Sequence, residues 1–151
     1  MGAFLPLLLA AFVAGCRTAP HLPPVDFSGG GWRVRHGQAV WKPAKTQPEL
    51  AGELLLAIHA NGDCIVQFDK TPFPLAAARL TGGQWQIEFG AGQRRFGGRG
   101  QPPSRFVWFQ LPRAVDGAGL SSGWKLIPLG KDSWRLENAR TGETLEGALF
   151  P

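Results

Sequence analysis

Apolar and polar residues alternate with a period of two over much of the chain from Trp32 onward. The segments WRVRH, residues 32–36, and QWQIEF, residues 84–89, each place an apolar residue at every second position. Successive side chains of a strand point to opposite faces of a sheet, so this pattern predicts half-buried β-strands. In the first segment Trp32 and Val34 are expected on the buried face, opposite two arginines.

Turn signals separate the alternating runs. Asn61-Gly62 lies between the runs 53–60 and 63–69. Both residues tolerate positive φ, so the pair predicts a type I′ hairpin turn. A second turn is expected around Thr141-Gly142. Short strands at regular spacing predict an antiparallel sheet that is curved or partly closed.

One segment departs from the alternation: GQPPSRFVWFQLPRAV, residues 100–115. Pro102 and Pro103 suit the first turn of a helix, where a missing N–H costs nothing, and Pro112 would end it. Phe106 and Phe109 would then share a face. A strand is the alternative, because the run is short. The predicted fold is mainly β with one or two helices, an antiparallel curved sheet forming an open half-barrel.

The N-terminus has a different pattern. No residue from Gly2 to Gly15 is charged, and the run is shorter than the roughly 20 apolar residues that cross a bilayer. It is typical of a secretory signal. Val13-Ala14-Gly15-Cys16 also resembles the bacterial lipobox, which implies cleavage before Cys16 and acylation of its thiol and new amino group. An ordinary signal with an incidental cysteine is the alternative.

These features predict three parts: a lipoprotein signal peptide at 1–15, the lipidated Cys16 with a flexible tether to residue 31, and a β domain at 32–151. The tether prediction rests on the prolines and the glycine triplet of RTAPHLPPVDFSGGG. Arg17 follows the cysteine, whereas lipoproteins retained in the inner membrane commonly carry Asp there. The resemblance therefore implies the periplasmic face of the outer membrane, in an organism that has one.

The net charge of the chain restricts the possible classes of binding partner only slightly. The net charge is +5, which favours an anionic membrane surface or another acidic partner. Nucleic acid is not expected, because an exported lipoprotein seldom meets it. Arg94, Arg95 and Arg99 surround Gly97-Gly98 and predict a flexible basic loop, which either contacts anionic head groups or is simply solvated.

The chain lacks the motifs of catalysis or metal binding. His36 and His59 stand without the spacing of a zinc site, and there is no G-x-S-x-G, phosphate loop or H-E-x-x-H. Cys64 alternates with Val66 and Phe68, which predicts a small buried hydrophobe. We expect no enzyme activity, cofactor or metal. A hydrolase, built on carboxylates that folding brings together, is the weakest alternative.

The most distinctive feature is an aromatic-rich apolar face. We expect it to bind an acyl chain or another apolar ligand, although such residues also form ordinary cores. The expected ligand-binding residues are Trp32, Val34, Phe68, Trp85, Ile87, Phe89, Trp108 and Trp134.

A family resemblance adds to this. A lipobox followed by a β-rich domain containing PPSRFVWFQLP, residues 102–112, with its Trp and closing Leu-Pro, resembles the outer-membrane lipoprotein receptor LolB and its soluble relative LolA. The resemblance implies a half-barrel closed by helices that accepts the acyl chains of lipoproteins, with those lipoproteins or a carrier protein as partners. Receptors of this kind expose a hydrophobic residue on a loop after a proline. The matching residue is Phe73, between Pro72 and Pro74, and it is expected to contact the membrane.

A different class stays open: a structural or protein-interaction lipoprotein of the envelope. Its sign would be a filled core with an exposed hydrophobic patch in place of a cavity.

Overall fold

The computed structural model describes residues 22–151, and within them the chain forms one antiparallel sheet and one helix. The sheet order is β6-β5-β4-β3-β2-β1-β9-β8-β7, so the sheet is open. The predicted class, a mainly β fold with a curved, open antiparallel sheet, is confirmed. The elements are β1 (Trp32–Lys42), β2 (Leu50–His59), β3 (Cys64–Lys70), β4 (Phe73–Thr81), β5 (Gln84–Phe89), β6 (Arg94–Arg99), α1 (Val107–Val115), β7 (Trp124–Pro128), β8 (Ser133–Asn138) and β9 (Thr144–Phe150).

The sheet bends around the helix. Helix α1 contacts β3 and β4 in one half of the sheet and β8 in the other. In a flat sheet β4 and β8 would lie about 24 Å apart, five strand spacings, whereas a helix is only about 10–12 Å wide. One short helix reaches both halves because the strands between them curve. The helix therefore lies on the concave face.

Small residues allow this curvature. Gly147, Ala39 and Gly52 are cross-strand partners in one row across β9, β1 and β2. A Cβ added to Gly147 would overlap the carbonyl oxygen of Gln38, and one on Gly52 would lie 2.5 Å from that of Asp69. Side chains in this row would hold neighbouring backbone away, so their absence permits a tight bend at the middle of the sheet.

The helix begins later and ends later than predicted. Phe106 is its N-cap residue, and Pro112 lies inside it. Pro102 and Pro103 precede it, in a turn in which the Phe106 N–H donates to the Pro103 carbonyl over 3.4 Å. Pro112 is tolerated because the helix extends only three residues beyond it and because its ring is buried. The predicted proximity of Phe106 and Phe109 is confirmed, with ring centroids 6.4 Å apart.

An aromatic cluster fills the concavity. The Trp108 side chain is 1% exposed, and its ring centroid lies 5.2 Å from that of Phe68 and 5.1 Å from that of Trp41. Trp41 in turn stacks on Phe89 at 5.9 Å. Large rings in offset and edge contact contribute strongly to core stability. The helix is thus held mainly by burial of its apolar side chains.

The predicted orientation of β1 is wrong. Ala39 and Trp41 belong to the core or pack against it, so the odd-numbered positions of β1 face the helix. Trp32 and Val34 consequently lie on the convex face, and Arg33 and Arg35 on the concave one. The register is the reason: it pairs the two arginines with Ile58 and Leu56, which are core residues of β2. Alternation separates two faces but does not say which one is covered.

Both predicted turns are present, but the first has a different geometry. The Gly62 N–H donates to the His59 carbonyl over 3.0 Å, and the His59 N–H donates to the Asp63 carbonyl over 2.8 Å. Gly62 has φ +95°, whereas Asn61 keeps a negative φ. This is a three-residue loop with one left-handed residue, not a type I′ turn. At the second turn, the Gly142 N–H donates to the Asn138 carbonyl over 2.8 Å.

The predicted basic loop at 94–99 is in fact the edge strand β6, paired with β5. Gly98 has a packing role there, because a Cβ on it would lie 3.0 Å from the indole of Trp85. Arg95 reaches Glu88 on the neighbouring strand, with Nε and Oε1 2.7 Å apart. Exposed arginines on an edge strand also disfavour pairing with another chain.

The described part of the predicted tether lies on the convex face. The Leu22 N–H donates to Oε1 of Gln86 over 3.2 Å, and the Arg79 guanidinium donates to the Pro23 carbonyl. The Phe27 ring meets that of Trp32 edge-on, with centroids 5.4 Å apart. Residues 22–31 therefore form part of the folded domain. The predicted signal peptide and Cys16 lie outside the described residues.

The close approach of β1 and β9 can be tested at Gly37. A Cβ added there would overlap the carbonyl oxygen of Ala148. We expect Gly37→Ala to lower the free energy of unfolding by about 1–3 kcal/mol or more, because the β1–β9 backbones must separate. Gly119→Ala is the matched control, since a Cβ there meets no atom within 4 Å. Urea unfolding measures both variants. Equal stability of the two would show that close approach at Gly37 is not required.

Candidate functional site

Five of the eight predicted ligand-binding residues come together in the core. Phe68, Ile87 and Trp108 are almost fully buried, and Trp85 and Phe89 pack against them. Each contacts protein on the concave face, so the predicted apolar face exists and α1 fills it. These five side chains stabilise the fold and do not line either of the clefts described below.

The other three lie elsewhere. Trp32 is on the convex face, where its ring contacts Phe27 and His59, and Val34 lies exposed on the same face. The prediction that these two share the apolar face with Phe68 is corrected by the β1–β2 register. Trp134 is on the concave face and lines a small cleft beside the helix.

The larger cleft, of about 550 Å³, lies between α1 and the β2–β3 and β4–β5 turns. We call it the hairpin cleft. Ile58, Cys64 and Leu80 from the strands and Phe109 from the helix supply its apolar lining, together with Pro102 and Pro112. The sequence pattern did not single these residues out as a site, because the cleft forms where distant segments meet. The inward alternation of Cys64 and the aromatic face of the helix were the available signals.

Polar groups around the hairpin cleft are already paired. Asp63 accepts hydrogen bonds from the Gly82 N–H at 3.0 Å and from Asn61 Nδ2 at 3.1 Å. Nε of Arg113 donates to the Gly119 carbonyl over 2.8 Å. Polar groups that already have hydrogen-bond partners in the protein are less available to a ligand, so the cleft offers a ligand mainly its apolar surface.

Two further groups on its rim are also engaged. Asp116 pairs with Arg33, with Oδ1 and Nη2 2.7 Å apart. The buried amide of Gln110 donates to the Ser104 carbonyl and accepts from the Ser121 N–H, at 3.2 and 3.0 Å. These bonds join the segments on either side of α1 to the helix itself.

Cys64 is a structural residue of the cleft. Its side chain is 5% exposed, and burial, reinforced by the charge of Asp63, raises the pKa of the thiol to about 12. The thiol is therefore protonated at neutral pH, and the thiolate is the reactive form. The prediction of a small buried hydrophobe is confirmed.

A second cleft, of about 250 Å³, lies on the opposite side of the helix, against β7, β8 and β9. We call it the β7 cleft. Its apolar lining includes Leu111, Val115, Leu126 and Leu149. Arg35, Lys131 and Asp132 are its charged lining residues, and Trp134 completes it. Arg35 was missed because its strand was predicted to face the other way.

Phe73 is the most exposed large hydrophobic residue of the described chain, at 67%. It opens β4 opposite Lys70 and directly follows the short turn between β3 and β4. An apolar ring in solvent next to a cation is available for contact with a lipid surface or a partner.

The described residues hold no cluster of three or more His, Cys, Asp or Glu side chains able to bind a metal. Glu53 and Asp69 face each other across β2 and β3, and burial, with a contribution from Glu53, raises the pKa of Asp69. No hydrogen bond joins their carboxyl groups in the described structure. His59 contacts the Trp32 ring and the Gly30 carbonyl oxygen.

No protein-family model matches the chain, and no curated protein matches it. Between residues 22 and 151, no helix is long and apolar enough to cross a bilayer. The likeness to LolA and LolB stays a prediction.

One half-buried carboxyl group lies next to the aromatic cluster. Glu143, in the β8–β9 turn, accepts a hydrogen bond from Trp41 Nε1 over 2.9 Å. Burial raises the pKa of Glu143 from an ordinary 4.5 to about 7, although this hydrogen bond acts in the opposite direction. The folded protein thus holds a proton there more tightly than the unfolded chain does.

This gives stability a pH dependence. The free energy of unfolding should fall as pH rises from about 4.5 to about 7, by an amount of order 3 kcal/mol, and stay lower above that range. Glu143→Gln keeps an acceptor for Trp41 without the charge. We expect it to be more stable than the natural chain at pH 8 and similar at pH 5, as measured by urea unfolding. Glu49→Gln, at an exposed position, is the control; a similar change in that variant would contradict the assignment.

Proposed function

We propose that the chain is a lipid-anchored protein of the cell envelope whose β domain binds an acyl chain, of a lipid or of a lipoprotein, in the hairpin cleft. The observation that carries the proposal is this cleft of about 550 Å³ beside the helix of an open, curved sheet, whose lining combines an apolar surface with polar groups. Its volume is within the range of roughly 300–1,000 Å³ typical of small-molecule sites.

The ligand binds beside the helix and does not enter the aromatic core. The core is occupied by Trp108, whereas the hairpin cleft is open to solvent and its polar rim is paired within the protein. An acyl chain needs apolar surface and makes no demand on hydrogen bonds, so this lining suits it. Binding involves no chemical reaction, and it needs neither a cofactor nor a metal.

Anchoring is the second element of the proposal. Acylated Cys16 would carry two or three chains, and each buried methylene contributes about 0.8 kcal/mol, enough for stable attachment. Phe73 adds a contact with the bilayer, worth about 1.5–3 kcal/mol for a ring that is fully buried there. The partners of such a protein are the membrane and acylated lipoproteins or the carrier that delivers them. Its place is the periplasmic face of the outer membrane, and its task is lipoprotein localisation.

A second candidate has its own support. The aromatic core is filled, and Val34, Val40 and Phe150 lie exposed on the convex face. A filled core with exposed apolar residues is what an interaction lipoprotein of the envelope would show. That protein would bind no acyl probe, so one ligand titration separates the two functions.

The cleft is tested with a neutral acyl probe, glycerol monolaurate, titrated against the full chain by calorimetry. We expect saturable binding that Ala118→Trp weakens at least about tenfold. Ala118 is an exposed residue of the cleft lining, so the larger ring at this position would occupy the cleft. Ala139→Trp, at an exposed position outside the cleft, is the matched control. Absence of saturable binding, or equal loss in both variants, would refute acyl binding at this site.

The anchor is tested by mass spectrometry of protein taken from the membrane fraction. We expect an acylated N-terminal peptide that begins at Cys16. A Cys16→Ser variant should lose this modification and leave the membrane fraction. An unmodified Cys16 in the natural protein would exclude lipid attachment and leave the cleft proposal to its own test.

A further inference from the structure

The β7 cleft differs from the hairpin cleft in its charges. Arg35 lies on the concave side of β1 and lines the β7 cleft together with apolar residues of α1. Its neighbour on the same side, Arg33, is neutralised by Asp116 at 2.7 Å. The Arg35 side chain is solvent-exposed, and its guanidinium has no hydrogen bond or ion pair with any residue from 22 to 151. A guanidinium that faces an apolar helix without a partner is complementary to an anion.

Two other groups on this cleft also lack partners. Lys131, at the β7–β8 turn, makes no ion pair within the described chain, even though Asp132 is adjacent. The Trp134 indole Nε1 is buried and has no acceptor within the described residues. Because this atom is shielded from solvent, the residue offers a ligand the surface of its indole ring. Two cations, the carboxylate of Asp132 and the indole ring of Trp134 thus line a cleft of mixed apolar and polar character.

We propose that the β7 cleft binds the anionic head of a small amphiphile, a carboxylate or phosphate group carried on a short apolar chain. Arg35 binds the anion through its planar fork of donors, and Lys131 adds a second positive charge. Leu111, Leu126 and Leu149 contact the apolar chain. The cleft is less than half the volume of the hairpin cleft, so the ligand is a short one.

This inference does not rest on the acyl-binding function, because the two clefts lie on opposite sides of α1. In the hairpin cleft the charged lining groups have protein partners, which suits a neutral chain. In the β7 cleft the positive lining groups have none, which suits an anion. The Ala118→Trp chain keeps the hairpin cleft blocked while the β7 cleft is studied.

The experiment is a calorimetric titration of the Ala118→Trp chain with octanoate and octyl phosphate, which distinguish a fatty-acid carboxylate from a lipid-type phosphate. Octanol tests the chain without the charge, and acetate and inorganic phosphate test the charge without the chain. We expect saturable binding of octanoate or octyl phosphate, at least about tenfold tighter than that of any of these three probes.

Variants then locate the site. Arg35→Gln should weaken binding of the charged amphiphile at least about tenfold, and Lys131→Gln should weaken it less. Arg99→Gln is the matched control, because Arg99 is exposed on β6, outside the cleft. Thermal unfolding checks that each variant is folded.

Three results would overturn the proposal. These are binding of octanol as tight as that of octanoate, binding of acetate or inorganic phosphate as tight as that of the amphiphiles, and an Arg35→Gln variant that binds like Arg99→Gln. Failure of glycerol monolaurate to bind the natural chain leaves this proposal unaffected, since that probe is neutral and tests the other cleft.

Discussion

The structure depends on the packing of Trp108 against a sheet that carries only glycine and alanine in the row where it bends. A nine-residue helix with an internal proline has little stability of its own, since isolated helices of that length are marginal in water. It persists because its indole lies against Phe68 and Trp41. The sheet can present those two rings to one indole only where Gly147, Ala39 and Gly52 let its halves approach. Curvature of the sheet and burial of the helix thus depend on each other.

The same segment also explains why there are clefts at all. Helix α1 connects the two edge strands, β6 and β7, so it runs across an opening that the strands themselves do not close. It is narrower than that opening. Space therefore remains on both of its sides, and the side chains that happen to border each space determine its character: paired polar groups on one side, unpaired cations on the other.

The sequence predicted best where burial follows a regular alternation, as in β3 and β5. It failed for β1, where both faces carry large side chains and only pairing with β2 decides which is covered. It also missed β7, and it missed β4 and β6. Their residues are mostly alanine, glycine and arginine, which carry little strand preference, and their positions are set by hydrogen bonding to β3 and β5. The clefts could not be predicted, because each is bordered by segments more than 30 residues apart along the chain.

Docking of residues 22–31 on the convex face has a consequence for motion relative to a membrane. Six residue steps separate Cys16 from Leu22, a span of at most about 22 Å even when fully extended. In a chain acylated at Cys16, this linker is short compared with a tether that is free up to residue 31. The domain would then stay within a thin layer of space next to the bilayer. Its convex face could not move farther from Cys16 than the short linker allows. Its effective concentration at that surface rises accordingly, without any new contact being made.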